Sequence, residues 1–168
     1  MYKIHNVLSN KERKKLIKDI QPFLMSMEQQ NIRYNNNKFY PGKQTEDLLH
    51  LKPEFASVMK KILDKIKKEI KFNLEIRRSW VKWSNGGEDQ MNWHNHYLYE
   101  DVSFVAVYYL KTISFFSSGT LFKDGFVRVP QNSMIIFPAH ILHTTPKNPF
   151  HFIDRYVMSM DLNFSNSY

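Results

Sequence analysis

Apolar positions follow two different periods along the chain, and the change falls near residue 73. Upstream, Ser9-Asn10-Lys11-Glu12 reads as a capping box in which Ser9 accepts from the Glu12 N–H while Glu12 reaches back. Leu16, Ile17, Ile20 and Leu24 then recur at helical spacing. Pro53 stands where a first helical residue belongs, and Phe55, Val58, Met59, Ile62, Leu63, Ile66 and Ile70 follow at steps of three and four. That is one apolar helix face of about five turns. Its opposite face carries Lys60, Lys61, Asp64, Lys65, Lys67 and Lys68, so the helix is built to lie against something flat. Between the two helices, residues 29–46 are polar, with an Asn run and Pro41-Gly42, which predicts a loop or a short extended excursion.

Downstream the period shortens to β-rich runs: Leu74–Trp83, Ser103–Leu110, Gly119–Leu121, Phe126–Val129, Ser133–Phe137 and Asp154–Phe164. Asn85-Gly86-Gly87, Asp124-Gly125 and the Pro146–Pro149 segment punctuate them. Asp-Gly between apolar runs signals a hairpin, because the turn needs residues that tolerate positive φ. Short strands at this spacing predict a sandwich or barrel instead of a parallel sheet with crossover helices. With the long helix covering one face, the expected fold class is α+β: a double-stranded β-helix (jelly-roll or cupin-like) core with N-terminal helices packed on one sheet. The expected organisation is a single domain, 1–168, with a helical support region over 1–73 and the β core over 74–168.

Composition narrows the chemistry. Of 168 residues, 42% are hydrophobic and 13 are Phe, enough for a substantial core and incompatible with disorder. Cysteine is absent, which excludes disulfides, thiolate zinc sites, iron–sulfur clusters and a cysteine nucleophile, so any metal must use His and carboxylates. No apolar run reaches the length of a membrane span, and the first residues lack a signal-peptide h-region; a soluble, cytoplasmic protein is the expectation. The net charge of +8 raises the question of a polyanion partner. The excess gathers in Lys11–Lys18 and Lys60–Lys71, on the solvated faces of amphipathic helices. A nucleic-acid surface would interleave Arg and aromatics, so nucleic acid is not the expected partner.

Seven histidines occur, and His94-Asn95-His96 places two of them two residues apart. Random placement yields roughly 0.3 such pairs in a chain of this composition, so the pair is not specific by itself. In an extended segment, however, both rings point the same way. A third His from a distant strand would complete a facial set with positions open for substrate or oxygen. His143, after the apolar run MIIFP, suits that place; His140 is its local competitor, and His140 and His151 otherwise read as surface residues or supports of the site. Trp80, Phe104, Phe122 and Phe137 read as core, and Glu88, Asp89 and Gln90 as a solvated turn.

The stretch from Ser79 to Phe164 resembles the iron(II)- and 2-oxoglutarate-dependent oxygenases of the prolyl-hydroxylase-like branch, among them small bacterial and phage members. The matching segments run in order: SWVKWSNGGEDQMNWHNH, SFVAVYYLK, GTLF, VPQNSMIIFPAHILH and RYVMSMDLNF. NVLSNKERKKLI also looks like that branch's opening helix; residues 25–75 match poorly. The resemblance implies His94 and His143 as the first and distal metal ligands. It implies Arg155, twelve residues after His143, as the partner of the distal carboxylate of 2-oxoglutarate, with Tyr109 hydrogen-bonding the same carboxylate. Ser159 would line that end of the pocket, and Trp83 falls near another aromatic that lines it. A guanidinium suits the role, because it can bind a carboxylate through two parallel charge-assisted hydrogen bonds.

One departure stands out. The usual motif is His-x-Asp or His-x-Glu, whereas here the second position is His96. Three readings stay open: a three-His iron centre of His94, His96 and His143; ligation by a nearby acid, Glu100 or Asp101; or a different metal or lost catalysis. The resulting expectation is an Fe(II)- and 2-oxoglutarate-dependent dioxygenase (hydroxylase) with dioxygen and 2-oxoglutarate as co-substrates. Its prime substrate is a small molecule or a peptide, a prolyl or other amino-acid side chain by family analogy alone. A monomer or homodimer is the expected state. The alternatives are a catalytically inactive β-fold binding protein, using its basic helices on nucleic acid, and a cupin-type metal enzyme that does not use 2-oxoglutarate. Arg155 and Tyr109 argue for 2-oxoglutarate, since a metal binder needs neither.

Overall fold

The computed structural model describes residues 1–26, 29, 33–34, 38–39, 42–84, 92–97, 101–112, 118–146 and 154–165. In chain order the elements are β1 (Tyr2–His5), α1 (Asn10–Ile20), β2 (Met25–Ser26), β3 (Arg33–Tyr34), β4 (Lys38–Phe39), β5 (Lys43–Gln44), α2 (Pro53–Ile70), β6 (Leu74–Ser84), β7 (Phe104–Lys111), β8 (Gly119–Phe122), β9 (Gly125–Arg128), β10 (Ser133–Pro138), β11 (His143–Thr144) and β12 (Arg155–Phe164).

Both helices begin where their chemistry places them. Ser9 Oγ accepts from Glu12 N at 3.3 Å while the Glu12 carboxylate accepts from Ser9 N at 3.0 Å, closing the capping box. Pro53 opens α2, and Lys71 closes it in the left-handed region at φ 58°. The lysines on these helices run alongside acids: Lys15 pairs with Asp19, Lys60 with Asp64, Lys65 with Glu69 and Lys61 with Glu12.

Among the described residues the strands form two facing sheets and a separate two-stranded ribbon, β3-β4. The large one has the order β1-β10-β7-β12-β6-β5-β2, antiparallel throughout, and the small one is β11-β8-β9. This is the α+β, double-stranded β-helix architecture that the strand pattern predicts. The N-terminal 73 residues are not only helical, however. β1 adds a strand to the edge of the large sheet beside β10, and β5 and β2 extend the opposite edge beyond β6. The Asp124-Gly125 hairpin forms one residue earlier than the sequence implies: Phe122 pairs with Gly125, so Lys123 and Asp124 make the turn and Gly125 alone takes positive φ, 135°.

Alternation on the strands separates two cores. Ala106, Tyr108 and Leu110 of β7 with Tyr156, Met158 and Met160 of β12 meet Leu16 and Ile20 of α1 and Phe55, Met59, Ile62 and Ile66 of α2. Val105, Val107 and Tyr109 with Val157, Ile135 and Phe137 face the small sheet instead, against Phe122 and Val129. The helix-side core makes the large sheet a rigid floor, and the inner core lies between the sheets with His94, His96, His143 and Arg155 lining a cleft at its mouth.

Candidate metal centre

His94, His96 and His143 come together although 47 positions separate the last two. Each offers one nitrogen, and these nitrogens all lie within 4.8 Å of one another. Backbone pairing sets the distance: His94 N donates to His143 O at 3.1 Å and His143 N to His94 O at 2.9 Å, which attaches the His94 segment to the small sheet. His96 N donates to Ala139 O at 2.9 Å, fixing the second ring beside the end of β10.

The three rings also share a tautomer. His94 Nδ1 lies 2.8 Å from Asn92 O, and His143 Nδ1 lies 3.0 Å from Ile141 O. His96 Nδ1 lies 2.5 Å from Asp161 Oδ1. A carbonyl or carboxylate oxygen can only accept, so each Nδ1 carries the proton and each Nε2 keeps its lone pair. Burial holds the His94 ring below the ordinary histidine range, and burial with the neighbouring His94 takes His143 down to about 3. Neutral imidazoles with orienting partners on Nδ1 are what a metal ion requires.

The cleft beside the cluster is lined by both sheets. Along β12, Arg155, Val157, Ser159 and Asp161 share one face, and their partners on β6 are Ser84, Lys82, Trp80 and Arg78. The lining takes in Trp80, Lys82, Ser84, Tyr109, Thr120, Thr144, Arg155 and Ser159 together with the three histidines. Arg155 is buried, and its guanidinium lies over the Tyr109 ring, 5.8 Å from the centroid. Tyr109, equally buried, has its hydroxyl 2.7 Å from Thr120 Oγ1, and burial pushes the phenol upward, so it stays protonated. Asp154, the neighbour of Arg155 in sequence, accepts instead from Trp83 Nε1 at 3.1 Å and Lys111 Nζ at 3.2 Å.

No protein-family model matches the chain, and no curated protein is matched by its sequence. Solved structures do match over nearly the whole chain. The viral collagen prolyl hydroxylase of Paramecium bursaria Chlorella virus-1, in its 2OG complex, aligns with a TM-score of 0.63 at 14% identity over 98% of this chain and 96% of that one. An oxidoreductase of the 2OG-Fe(II) oxygenase family from Burkholderia pseudomallei gives 0.67 at 10% identity, covering 96% and 84%. HygX from Streptomyces hygroscopicus, with nickel and 2-oxoglutarate bound, gives 0.64 at 11% identity, covering 98% and 82%. The chain has the fold of the 2OG-Fe(II) oxygenases. No helix among the described residues is long and apolar enough to cross a membrane.

Within that oxygenase fold, the structure gathers His94, His96, His143, Arg155, Tyr109 and Ser159 around one cleft. Trp83 lies elsewhere: it points to the helix side of β6, packs against that core and donates to Asp154, while Trp80 takes the inward position. Asp101 is exposed and faces Arg77, its Oδ2 3.6 Å from Arg77 Nε, and His140 is exposed outside the cluster. Glu88, Asp89, Gln90, Glu100 and His151 lie outside the described residues. Sequence reasoning missed Asp161, Thr120 and Lys82, and it read Trp80 as core although its ring stacks on His96 at 5.9 Å and 11°.

The depressed His143 makes apo-protein stability depend on pH. Its folded value lies below the unfolded one, so the unfolded chain takes up a proton first as pH falls through 6.5, and stability drops from there towards pH 3. Each pH unit in that window costs about 1.4 kcal/mol from this group at most. Denaturant unfolding of the metal-free protein is expected to lose about 1–2 kcal/mol between pH 7 and pH 5. His143→Gln should flatten that slope; an unchanged slope in the variant assigns the loss to other groups.

Proposed function

We propose that the protein is an Fe(II)- and 2-oxoglutarate-dependent dioxygenase that hydroxylates a second substrate, with succinate and carbon dioxide as co-products. The observation that carries this reading is the convergence, in one cleft, of three imidazoles with free Nε2 atoms and a buried Arg155 whose guanidinium lies over the Tyr109 ring. A metal binder needs no buried guanidinium, and a carboxylate pocket needs no imidazole cluster.

His94, His96 and His143 would hold iron from one side, leaving adjacent positions for the 2-oxo acid end of the co-substrate and for dioxygen. Iron(II), when bound, supplies the coupling of dioxygen reduction to oxidation, with two electrons taken from 2-oxoglutarate on decarboxylation and two from the substrate C–H bond. The rest is done by this chain's residues. Arg155 binds the distal carboxylate through two parallel hydrogen bonds, and the protonated Tyr109 hydroxyl donates a third. Thr120 orients that hydroxyl, and Ser159 stands two residues along the same face of β12 from Val157. Lys82 adds a second positive charge against a dianionic co-substrate. Val107, Val157 and the Trp80 ring wall the cleft with apolar surface that excludes water. The first prime substrate to try is a prolyl or other amino-acid side chain in a peptide, since the solved neighbours include prolyl hydroxylases. In this reading residues 1–168 act as a single domain, as a monomer or homodimer in the cytoplasm.

Anaerobic titration of Fe(II)-loaded protein with 2-oxoglutarate tests the reading. Chelation by the 2-oxo acid gives a metal-to-ligand charge-transfer band that neither a cupin-type metal enzyme nor an inactive binding protein gives. A saturable band is expected; well-metallated protein that develops none overturns the reading.

A further inference from the structure

Asp161 is a fully buried acid in the middle of β12, flanked by Met160 and Leu162. A carboxylate in such a place is expensive unless both oxygens are engaged. Here they are engaged in opposite directions. Oδ1 accepts from His96 Nδ1 at 2.5 Å, and Oδ2 is ion-paired with Arg78, the residue directly across the ladder on β6. A register shift follows immediately, between Asp161 and Leu162. The His96 ring is in addition held by its stack on Trp80 and by its backbone bond to Ala139.

We infer that Asp161 is a positioning residue that delivers to the metal centre, through His96, the negative charge that a His-x-Asp or His-x-Glu motif delivers by direct ligation. The inference rests on the metal-binding half of the proposed function and goes beyond it. Two neutral imidazoles and one carboxylate around a divalent ion leave a local charge of about +1; three neutral imidazoles leave about +2. Adding Asp161 one hydrogen bond away returns the count to the first value. Arg78 does not cancel it fully, because its side chain is 22% exposed and solvent screens it, whereas Asp161 is 0% exposed and faces the ring. The contrast among the three rings is the decisive feature: His94 and His143 donate to neutral carbonyls, and His96, at the position the usual motif gives to an acid, donates to a carboxylate. A carboxylate on Nδ1 raises the basicity of Nε2 and fixes its direction.

A buried ion pair kept only for structure predicts that losing either partner is equivalent. The positioning role predicts asymmetry. Asp161→Asn keeps the shape and an acceptor for His96 but removes the charge. It is expected to weaken Ni(II) binding, read by calorimetry, about 10- to 100-fold, the range seen when such outer partners are lost. It should also raise the Fe(III)/Fe(II) midpoint potential, because the lost negative charge favoured the oxidised ion. Arg78→Gln is expected to leave Ni(II) affinity within about threefold, because the Asp161–His96 bond remains. Equal losses in the two variants, or no loss and no potential shift in Asp161→Asn, overturn the proposal. A wild-type measurement covers the case in which Asp161→Asn does not fold. In the Zn(II)-loaded protein the Nδ1 proton of His96 should resonate downfield of those of His94 and His143; three indistinguishable resonances overturn the assignment. If these results hold while 2-oxoglutarate gives no charge-transfer band, the oxygenase reading fails and the role of Asp161 stands. If wild-type protein binds no divalent metal, both fail.

Discussion

Replacing Arg155 with alanine is expected to raise the apparent 2-oxoglutarate dissociation constant by about 30- to 4,000-fold while Ni(II) affinity stays near normal. The range follows from the cost of removing one member of a buried, hydrogen-bonded charge pair, on the order of 2–5 kcal/mol, at about 1.4 kcal/mol per decade. The geometry favours a large effect. Arg155 is 5% exposed, it lies over a fully buried tyrosine, and the adjacent Asp154 is held by Trp83 and Lys111. Arg155→Lys should recover only part of the affinity, because a point charge cannot make the bidentate contact. Neutralising Lys60, Lys61, Lys67 and Lys68 together is the control. Lys60 and Lys61 already face acids on the helix surface, and such solvated charges are worth little individually, so co-substrate affinity should stay within about threefold. Calorimetric titration of wild type and the three variants with 2-oxoglutarate decides it. Loss of binding in the lysine variant with retention in Arg155→Ala would move the anion site off β12.

The contrast between Arg155 and Trp83 shows what the chain's pattern carries and where it stops. A helical apolar period locates α2 because one face is buried and the other solvated, whereas β7, β10 and β12 bury both faces and are located as near-continuous apolar runs between turn signals. Arg155 stands out for the same reason, as a lone cation in an apolar run. The phase of β6 is different. Its two faces are both half-covered, one by the helix-side core and one by the cleft, so LEIRRSWVKWS shows no clean alternation. Only the pairing of Trp80 with Ser159 and of Trp83 with Tyr156 decides which tryptophan looks inward. β1 and β11 are invisible for another reason: at four and two residues they carry no period, they lack the Asp-Gly turn that marks the equally short β8 and β9, and their partners are distant in sequence. Asp161 was legible by the argument that singled out Arg155. It lies six residues further on the same strand, in phase with Ser159, and no unsupported acid belongs there. What the sequence could not show is that the His96 ring would come to meet it.

That meeting makes His96 the most informative ligand to change. His96→Ala is expected to abolish stoichiometric metal binding and oxygenase turnover together, a larger loss than the about 10- to 100-fold expected for an outer partner. Asp101→Ala and Glu100→Ala should keep both, and for Asp101 the reason is visible: it is exposed and turned towards Arg77. Retained stoichiometric metal in His96→Ala, with loss in either acid variant, transfers the second ligand to that acid. Folding must be checked separately, because removing the ring leaves one oxygen of a fully buried carboxylate without its donor, a cost on the order of 1–3 kcal/mol. His96→Asp separates the two effects. It restores the common motif but sets a second carboxylate near Asp161, and the two repel until an ion lies between the new carboxylate and the remaining rings. The metal-free variant should therefore melt below wild type and gain more stability than wild type from saturating metal, since binding to the folded state alone stabilises it. Adding Asp161→Asn to His96→Asp should remove that repulsion and raise the melting temperature of the metal-free form. If instead His96→Asp melts like wild type without metal and the added Asp161→Asn only destabilises it, the two positions do not share one charge environment, and the carboxylate at 161 is held for Arg78 alone.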